Sequence, residues 1–301
     1  MRTLVFGGTG MLGRALTERL RQDGPVLSIG SADCDMTRID EIDIVIGAER
    51  PDRVFHCAGL VGGIKKNMEN PLNFLMKNTQ MGINLIDVCI DNNVKHLYNI
   101  SSSCVYPRNC QQPMREGMLG SGPLEPTNLG YALAKMHVIE AIRMARAMGF
   151  DYKSMLPCNL YGPGDTFGEG GHVLASLVKK FCDAKREQLD TVTIWGTGAP
   201  RREFLHTADA ADAIVAATSI DTAEINIGSG VDIEISTLAV KIADIIEWDG
   251  ILTFDSTKPD GMPKKLLDTN RLNGIGWKQN ISLEEGIKQL VKEYENGTAK
   301  V

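Results

Sequence analysis

The feature that most narrows the possible folds is a glycine turn close to the start of the chain. The apolar run Thr3 to Phe6 reads as a short β-strand, and GGTGMLG comes directly after it, ahead of a helical pattern from Met11 to Leu20. Glycines at 7, 10 and 13 let the backbone turn tightly and bring an anionic group against the free N–H groups that open a helix. The arrangement suits the pyrophosphate of a dinucleotide, held along Gly7, Gly10, Met11, Leu12 and Gly13. An ordinary strand-to-helix turn is the competing reading of these glycines taken alone.

Beyond the turn the chain keeps the same rhythm. β-prone runs at Val26 to Ile29, Val54 to His56, Leu97 to Ile100 and Tyr152 to Leu156 alternate with helical patterns at Leu72 to Ile90 and Ala132 to Met148. Such alternation builds crossover units. The expected fold class is α/β, a Rossmann-like, mostly parallel sheet with a smaller α/β substrate-binding domain. Residues 1–158 are assigned mainly to the dinucleotide-binding domain and 159–301 mainly to the substrate-binding region. Strand patterns at Val192 to Trp195 and Glu224 to Ile227 imply that later segments are interleaved into the first domain. Ser282 and Glu285 have the spacing of a capping box before a further helix.

Composition excludes several classes. The formal net charge of -6 comes with no long Lys/Arg run, which argues against a nucleic-acid partner. No apolar run is long enough to span a membrane, and the immediate start on a strand leaves no room for a leader segment. Seven cysteines without a CxxC pair fit a reducing compartment, so a cytoplasmic location is expected. No metal-ligand pattern is assigned.

Chemistry enters with Tyr131 and Lys135. Four residues apart, they share one face of the expected helix, where the lysine charge would favour the tyrosinate. Ser102 closes an apolar strand and can meet the start of that helix. A serine, a tyrosine and a lysine beside a dinucleotide are the groups needed to exchange a proton with a carbonyl oxygen while hydride moves. The second-strand region sends conflicting signals about the cofactor. Gly30 and Ser31 stand where a ribose-binding carboxylate often follows the strand, which leaves space for a 2'-phosphate, yet Thr9 and Ser31 bring no positive charge to it. Asp35 is a candidate contact for the adenine side, and NADPH (NADP+ when oxidised) is the expected cofactor.

The blocks LVGGIKKN, SSSCVYP, EPTNLGYALAK, PCNLYGPGD, WGTGAPRREFLH and KPDGMPKKLLD carry a more specific signal. With the glycine turn, they make the chain resemble the extended short-chain dehydrogenase/reductase family, and within it the GDP-L-fucose synthase family. The resemblance runs nearly end to end and implies a bifunctional epimerase-reductase. Its substrate would be GDP-4-keto-6-deoxy-D-mannose, its reductant NADPH and its assembly a homodimer packed through long helices. It implies Ser102, Tyr131 and Lys135 as the reduction set, and Cys104 and His172 as the base and acid of epimerisation. Arg202 and Lys265 are implied at the substrate pyrophosphate, with Trp195 beside them. Gly63, Asn67, Asn159, Lys180 and Asp260 are further substrate-binding candidates. Thr9 departs from the family, which often carries a basic residue there. Another nucleotide-sugar epimerase-reductase, such as a GDP-L-colitose synthase, shares the same site logic.

Overall fold

A computed structural model describes residues 1–168 and 171–299. Its strands are β1 (Thr3–Phe6), β2 (Val26–Ile29), β3 (Arg53–His56), β4 (His96–Ile100), β5 (Asp151–Pro157), β6 (Asn159–Tyr161), β7 (Thr191–Trp195), β8 (Arg201–His206), β9 (Glu224–Ile227), β10 (Asp232–Glu234), β11 (Ile251–Asp255) and β12 (Lys264–Lys265). Helices α1 (Met11–Arg21), α2 (Ile39–Glu49), α3 (Ile64–Glu69), α4 (Pro71–Asp91) and α5 (Leu129–Ala147) belong to the first half. They are followed by α6 (Val173–Arg186), α7 (Thr207–Ala217), α8 (Ile235–Ile246), α9 (Asn270–Gly274) and α10 (Leu283–Glu295).

The larger sheet has the order β2-β1-β3-β4-β5-β9, with every neighbouring pair parallel. β1 shows why it needs cover on both sides. Val5 packs with Leu16 and Leu20 of α1, while Leu4 and Phe6 pack with Ile42, Ile46 and Leu85. A four-residue strand with every residue buried is what a parallel sheet between two helical layers demands. The strand order reverses around β1, whose neighbours are β2 on one side and β3 on the other. Ligands of open α/β sheets bind beyond the carboxyl ends of strands at such a switch point, and the glycine turn leaves β1 there.

After β5 the chain quits this sheet and returns to it only with β9. The intervening and later segments build a second lobe around β8, paired with β6 and β12 in parallel and with β10 antiparallel. β7 and β11 form a separate parallel pair. Leu174, Val178 and Phe181 of α6 pack with Leu238 and Ile242 of α8 and Leu290 of α10 in a core of their own. The capping box expected at Ser282 is formed: Glu285 N–H donates to Ser282 Oγ at 3.2 Å, and Ser282 N–H donates to Glu285 Oε2 at 2.9 Å. Among the described residues, no helix is long and apolar enough to cross a membrane.

Candidate active site

The glycine turn is a cradle with no room for side chains on its inner side. A Cβ at Gly7 would lie 2.4 Å from the Ala58 backbone nitrogen, and one at Gly13 would lie 2.1 Å from the Gly7 carbonyl oxygen. Gly7 also has a φ of 75°, which favours glycine. Gly10 differs. It precedes α1, and a Cβ there would meet only the Gly7 carbonyl, at 3.3 Å. Met11 and Leu12 form the first turn of the helix, so their backbone donors face the same opening. Gly7 and Gly8 N–H both donate to the Ile29 carbonyl, at 2.8 and 3.0 Å, locking the turn to the end of β2. This geometry fits a pyrophosphate. Asp35 sits on the same side, but its carboxylate accepts from Thr37 N–H and Oγ1 at 3.0 and 2.8 Å, and these bonds hold it below the usual carboxylate range.

Beyond β4 the chain makes a short 3-10 turn whose first residues are chemical. Ser102 caps it, its Oγ accepting from Cys104 N–H at 3.2 Å. Cys104 Sγ receives Asn128 Nδ2 at 3.0 Å and the Lys265 ammonium at 3.2 Å. Burial alone would raise this thiol, but the charge of Lys265 and the hydrogen bonds from Ser102, Lys265 and Asn128 bring it below the ordinary value. The other six cysteines are all shifted upward, chiefly by burial.

Tyr131 enters from the first turn of α5, with Lys135 one turn later. The Lys135 ammonium donates to the Ile100 carbonyl at 2.9 Å and stands 5.8 Å from the centre of the Tyr131 ring. Burial lowers Lys135 to about 8. The expected lowering of Tyr131 by this lysine is not found. Burial pushes the phenol up, the Cys104 charge adds to that, and a hydrogen bond with Ser102 opposes it. Tyr131 is therefore a protonated donor at neutral pH.

His172 lies at the N-terminus of α6, where Nδ1 is 2.8 Å from Asp165 Oδ1. Burial opposes protonation, yet the Asp165 carboxylate and the Cys104 charge raise the imidazole above its ordinary value. Asp165 is buried and its second oxygen has no hydrogen-bond partner. The structure thus sets a thiol that favours its anion near an imidazole that favours its cation.

The remaining candidates divide. Arg202 is gathered into this cluster: it donates to the Asp260 carbonyl at 3.2 Å, and Cys104 is among the charges acting on it, although burial lowers its basicity. Lys265, expected at a pyrophosphate, has its ammonium on Cys104 Sγ in this structure. Asp260 is occupied by Thr197, accepting from its N–H and Oγ1 at 2.7 Å each. Asn67 Nδ2 donates to the Gly62 and Gly63 carbonyls at 2.7 and 3.1 Å, which fixes the turn before α3 and leaves its buried Oδ1 without a partner. Asn159 donates to the Glu203 carbonyl at 2.8 Å and Lys180 to the Thr193 carbonyl at 3.0 Å. Trp195 ends β7 with 44% of its surface exposed, the Lys258 ammonium 5.8 Å from its ring centre. Sequence reading missed Asn128 and Asp165. Both lie inside blocks that already carried signal, Asn128 three residues before Tyr131 and Asp165 at the end of PCNLYGPGD.

Comparison with known proteins identifies the family. Residues 3–228 match the NAD dependent epimerase/dehydratase family. A probable GDP-L-fucose synthase 1 of Oryza sativa subsp. japonica is 38% identical over 300 residues, covering 97% of this chain and 92% of the relative. A GDP-L-colitose synthase of Yersinia pseudotuberculosis is 37% identical over 304 residues, covering 98% of each. Among solved structures, a GDP-L-fucose synthetase from Naegleria fowleri bound to NADP superposes with a TM-score of 0.89 at 28% identity, covering 100% of this chain and 96% of that one.

Proposed function

Because the chain belongs to the NAD dependent epimerase/dehydratase family and, within it, to the GDP-L-fucose synthase family, we propose that it converts GDP-4-keto-6-deoxy-D-mannose to GDP-L-fucose, epimerising C3 and C5 and reducing C4 with NADPH. The observation that carries the reading is the Cys104 cluster. A reductase alone needs a proton donor and a dinucleotide; it has no use for a thiol shifted toward its anion near an imidazole shifted toward its cation. Inverting carbons beside a ketone needs both.

The C4 ketone makes the hydrogens on C3 and C5 acidic, since their removal yields an enolate. The Ser102 and Tyr131 hydroxyls are the donors that hold its oxygen. Cys104, shifted toward its thiolate by Lys265, Ser102 and Asn128, takes the proton from one face of the sugar. His172, shifted toward its protonated form by Asp165, returns a proton to the other. Gly7, Gly10, Met11, Leu12 and Gly13 would hold NADPH, which would supply hydride for C4. Tyr131 then gives its phenolic proton to the C4 oxygen, and its raised pKa keeps that proton available. Lys135 binds the cofactor ribose with the donors that Ile100 does not use. Arg202 binds the substrate pyrophosphate, with Gly63, Asn67, Asn159, Lys180, Trp195 and Asp260 shaping the surrounding pocket.

The working unit is a homodimer joined through α4 and α5, whose outer faces carry the exposed apolar residues Leu72, Met76 and Met144. A second reading, synthesis of GDP-L-colitose, is favoured by the nearly equal identity to the Yersinia relative. Products formed from GDP-4-keto-6-deoxy-D-mannose and from its 3-deoxy analogue, each with NADPH, separate the two. GDP-L-fucose as the preferred product supports the proposal. Turnover of the 3-deoxy sugar alone overturns it.

A further inference from the structure

The end of the cofactor site that would meet the adenosine ribose is built around a carboxylate. Asp33 is about twenty residues beyond the last glycine of the turn, the distance at which a dinucleotide fold places its ribose-binding acid. It does not follow β2 directly. The chain turns back instead, so that Asp33 Oδ2 accepts the N–H of Gly30, the first residue after β2, at 2.8 Å. Thr9 of the glycine turn fills the adjoining space: a Cβ at Gly30 would lie 2.7 Å from Thr9 Cγ2 and 3.4 Å from Asp33 Oδ2. Thr9, Gly30 and Asp33 are thus one contiguous surface, bordered by exposed Ser31.

A 2'-phosphate on that ribose needs positive charge beside it. Thr9, Gly30, Ser31 and Ala32 supply none. Arg38, the nearest basic residue along this loop, is already paired with Asp40 at 2.9 Å and Glu41 at 3.0 Å. Lys77 of α4 acts on Asp35. The exposed Asp33 carboxylate repels a phosphate and accepts from a free hydroxyl.

Resting on the dinucleotide reading above, we propose that Asp33, with Thr9, Gly30 and Ser31, accepts an unphosphorylated adenosine ribose, so that this chain binds NADH at least as well as NADPH. The specificity-determining residue is Asp33. One arginine contact to a phosphate favours the phosphorylated cofactor by about ten-fold or more, and this surface holds no such contact among the described residues.

Binding measured without substrate tests the assignment. Each reduced dinucleotide is titrated separately into the folded protein and followed by its nicotinamide fluorescence. NADH and NADPH are expected to bind within about three-fold of each other or with NADH tighter. Asp33→Asn keeps an oxygen for the Gly30 N–H and should move the preference several-fold toward NADPH, improving NADPH binding and weakening NADH binding. Adding Ser31→Arg should carry the preference past ten-fold toward NADPH. A wild-type preference for NADPH of ten-fold or more overturns the proposal and leaves the dinucleotide site standing. Equal effects of Asp33→Asn on both cofactors also overturn it. Failure of the folded protein to bind either dinucleotide overturns the dinucleotide reading itself, and the proposal with it.

Discussion

Cys104 acquires its reactivity from residues far away in sequence. Lys265 is 161 positions distant and Asn128 is 24, yet both donate to the same sulfur. No spacing rule could have joined Lys265 to this thiol, because the contact exists only once β12 has paired with β8 and brought the second lobe against the 3-10 turn. Tyr131 and Lys135 were legible for the opposite reason, since a separation of one helical turn is itself the geometry. The spacing of Asp33 from the glycine turn was legible, but the return of its carboxylate to the Gly30 N–H was not. The Lys265 contact makes a prediction. Lys265→Met removes the positive charge that favours the thiolate, so the midpoint for alkylation of Cys104 must move to higher pH. Iodoacetamide labelling followed by peptide mass spectrometry should find Cys104 the first cysteine modified in the wild type. It should find the rate at neutral pH reduced by about ten-fold or more in the variant. An unchanged pH profile would mean that Lys265 does not set this thiol.

At the scale of elements, the site depends on how closely α5 approaches α4. A Cβ on Gly130 would lie 2.0 Å from the Pro71 carbonyl oxygen, a backbone atom at the start of α4 that cannot rotate away. Gly82 makes a similar close approach, its added Cβ 2.3 Å from Val138 of α5. Gly130 immediately precedes Tyr131, so any displacement there is passed to the phenol. Gly130→Ala is expected to destabilise the fold by about 1–3 kcal/mol, measured by urea unfolding, and to lower C4 reduction more than cofactor affinity. Wild-type reduction with unchanged stability would show that the helices have slack at this point. The elements of the large sheet were readable because their apolar runs are β-branched or aromatic and bounded by turns. Much of the second lobe was not. β12 is two lysines and β10 is Asp-Ile-Glu, with only Ile233 favouring a strand; long-range pairing with β8 makes them strands.

At the scale of the whole molecule, α4 and α5 carry exposed apolar residues. Leu72, Met76 and Met144 are each at least 60% exposed, and the proposed homodimer would cover them with the same face of a second copy. Light scattering should give about twice the 32.8 kDa chain mass, and Leu72→Glu with Met76→Glu should halve it. A monomeric wild type would remove the dimer. The larger proposal is that one site performs proton exchange at C3 and C5 and then hydride transfer at C4. Its parts come from both lobes: Ser102, Cys104, Tyr131 and Lys135 follow strands and helices of the large sheet, while His172, Arg202 and Lys265 come from the segments built around β8. The most direct measurement is deuterium incorporation from heavy water into GDP-4-keto-6-deoxy-D-mannose at each carbon, together with NADPH-dependent reduction of the already epimerised ketosugar, in Cys104→Ser, His172→Asn and Tyr131→Phe. The account predicts that Cys104→Ser loses exchange at C3 and C5 but still reduces the epimerised sugar, that His172→Asn is impaired in inversion, and that Tyr131→Phe loses reduction by about 10²-fold or more while retaining substrate binding. Normal exchange and inversion in the folded Cys104→Ser and His172→Asn variants, or wild-type reduction in Tyr131→Phe, would contradict it.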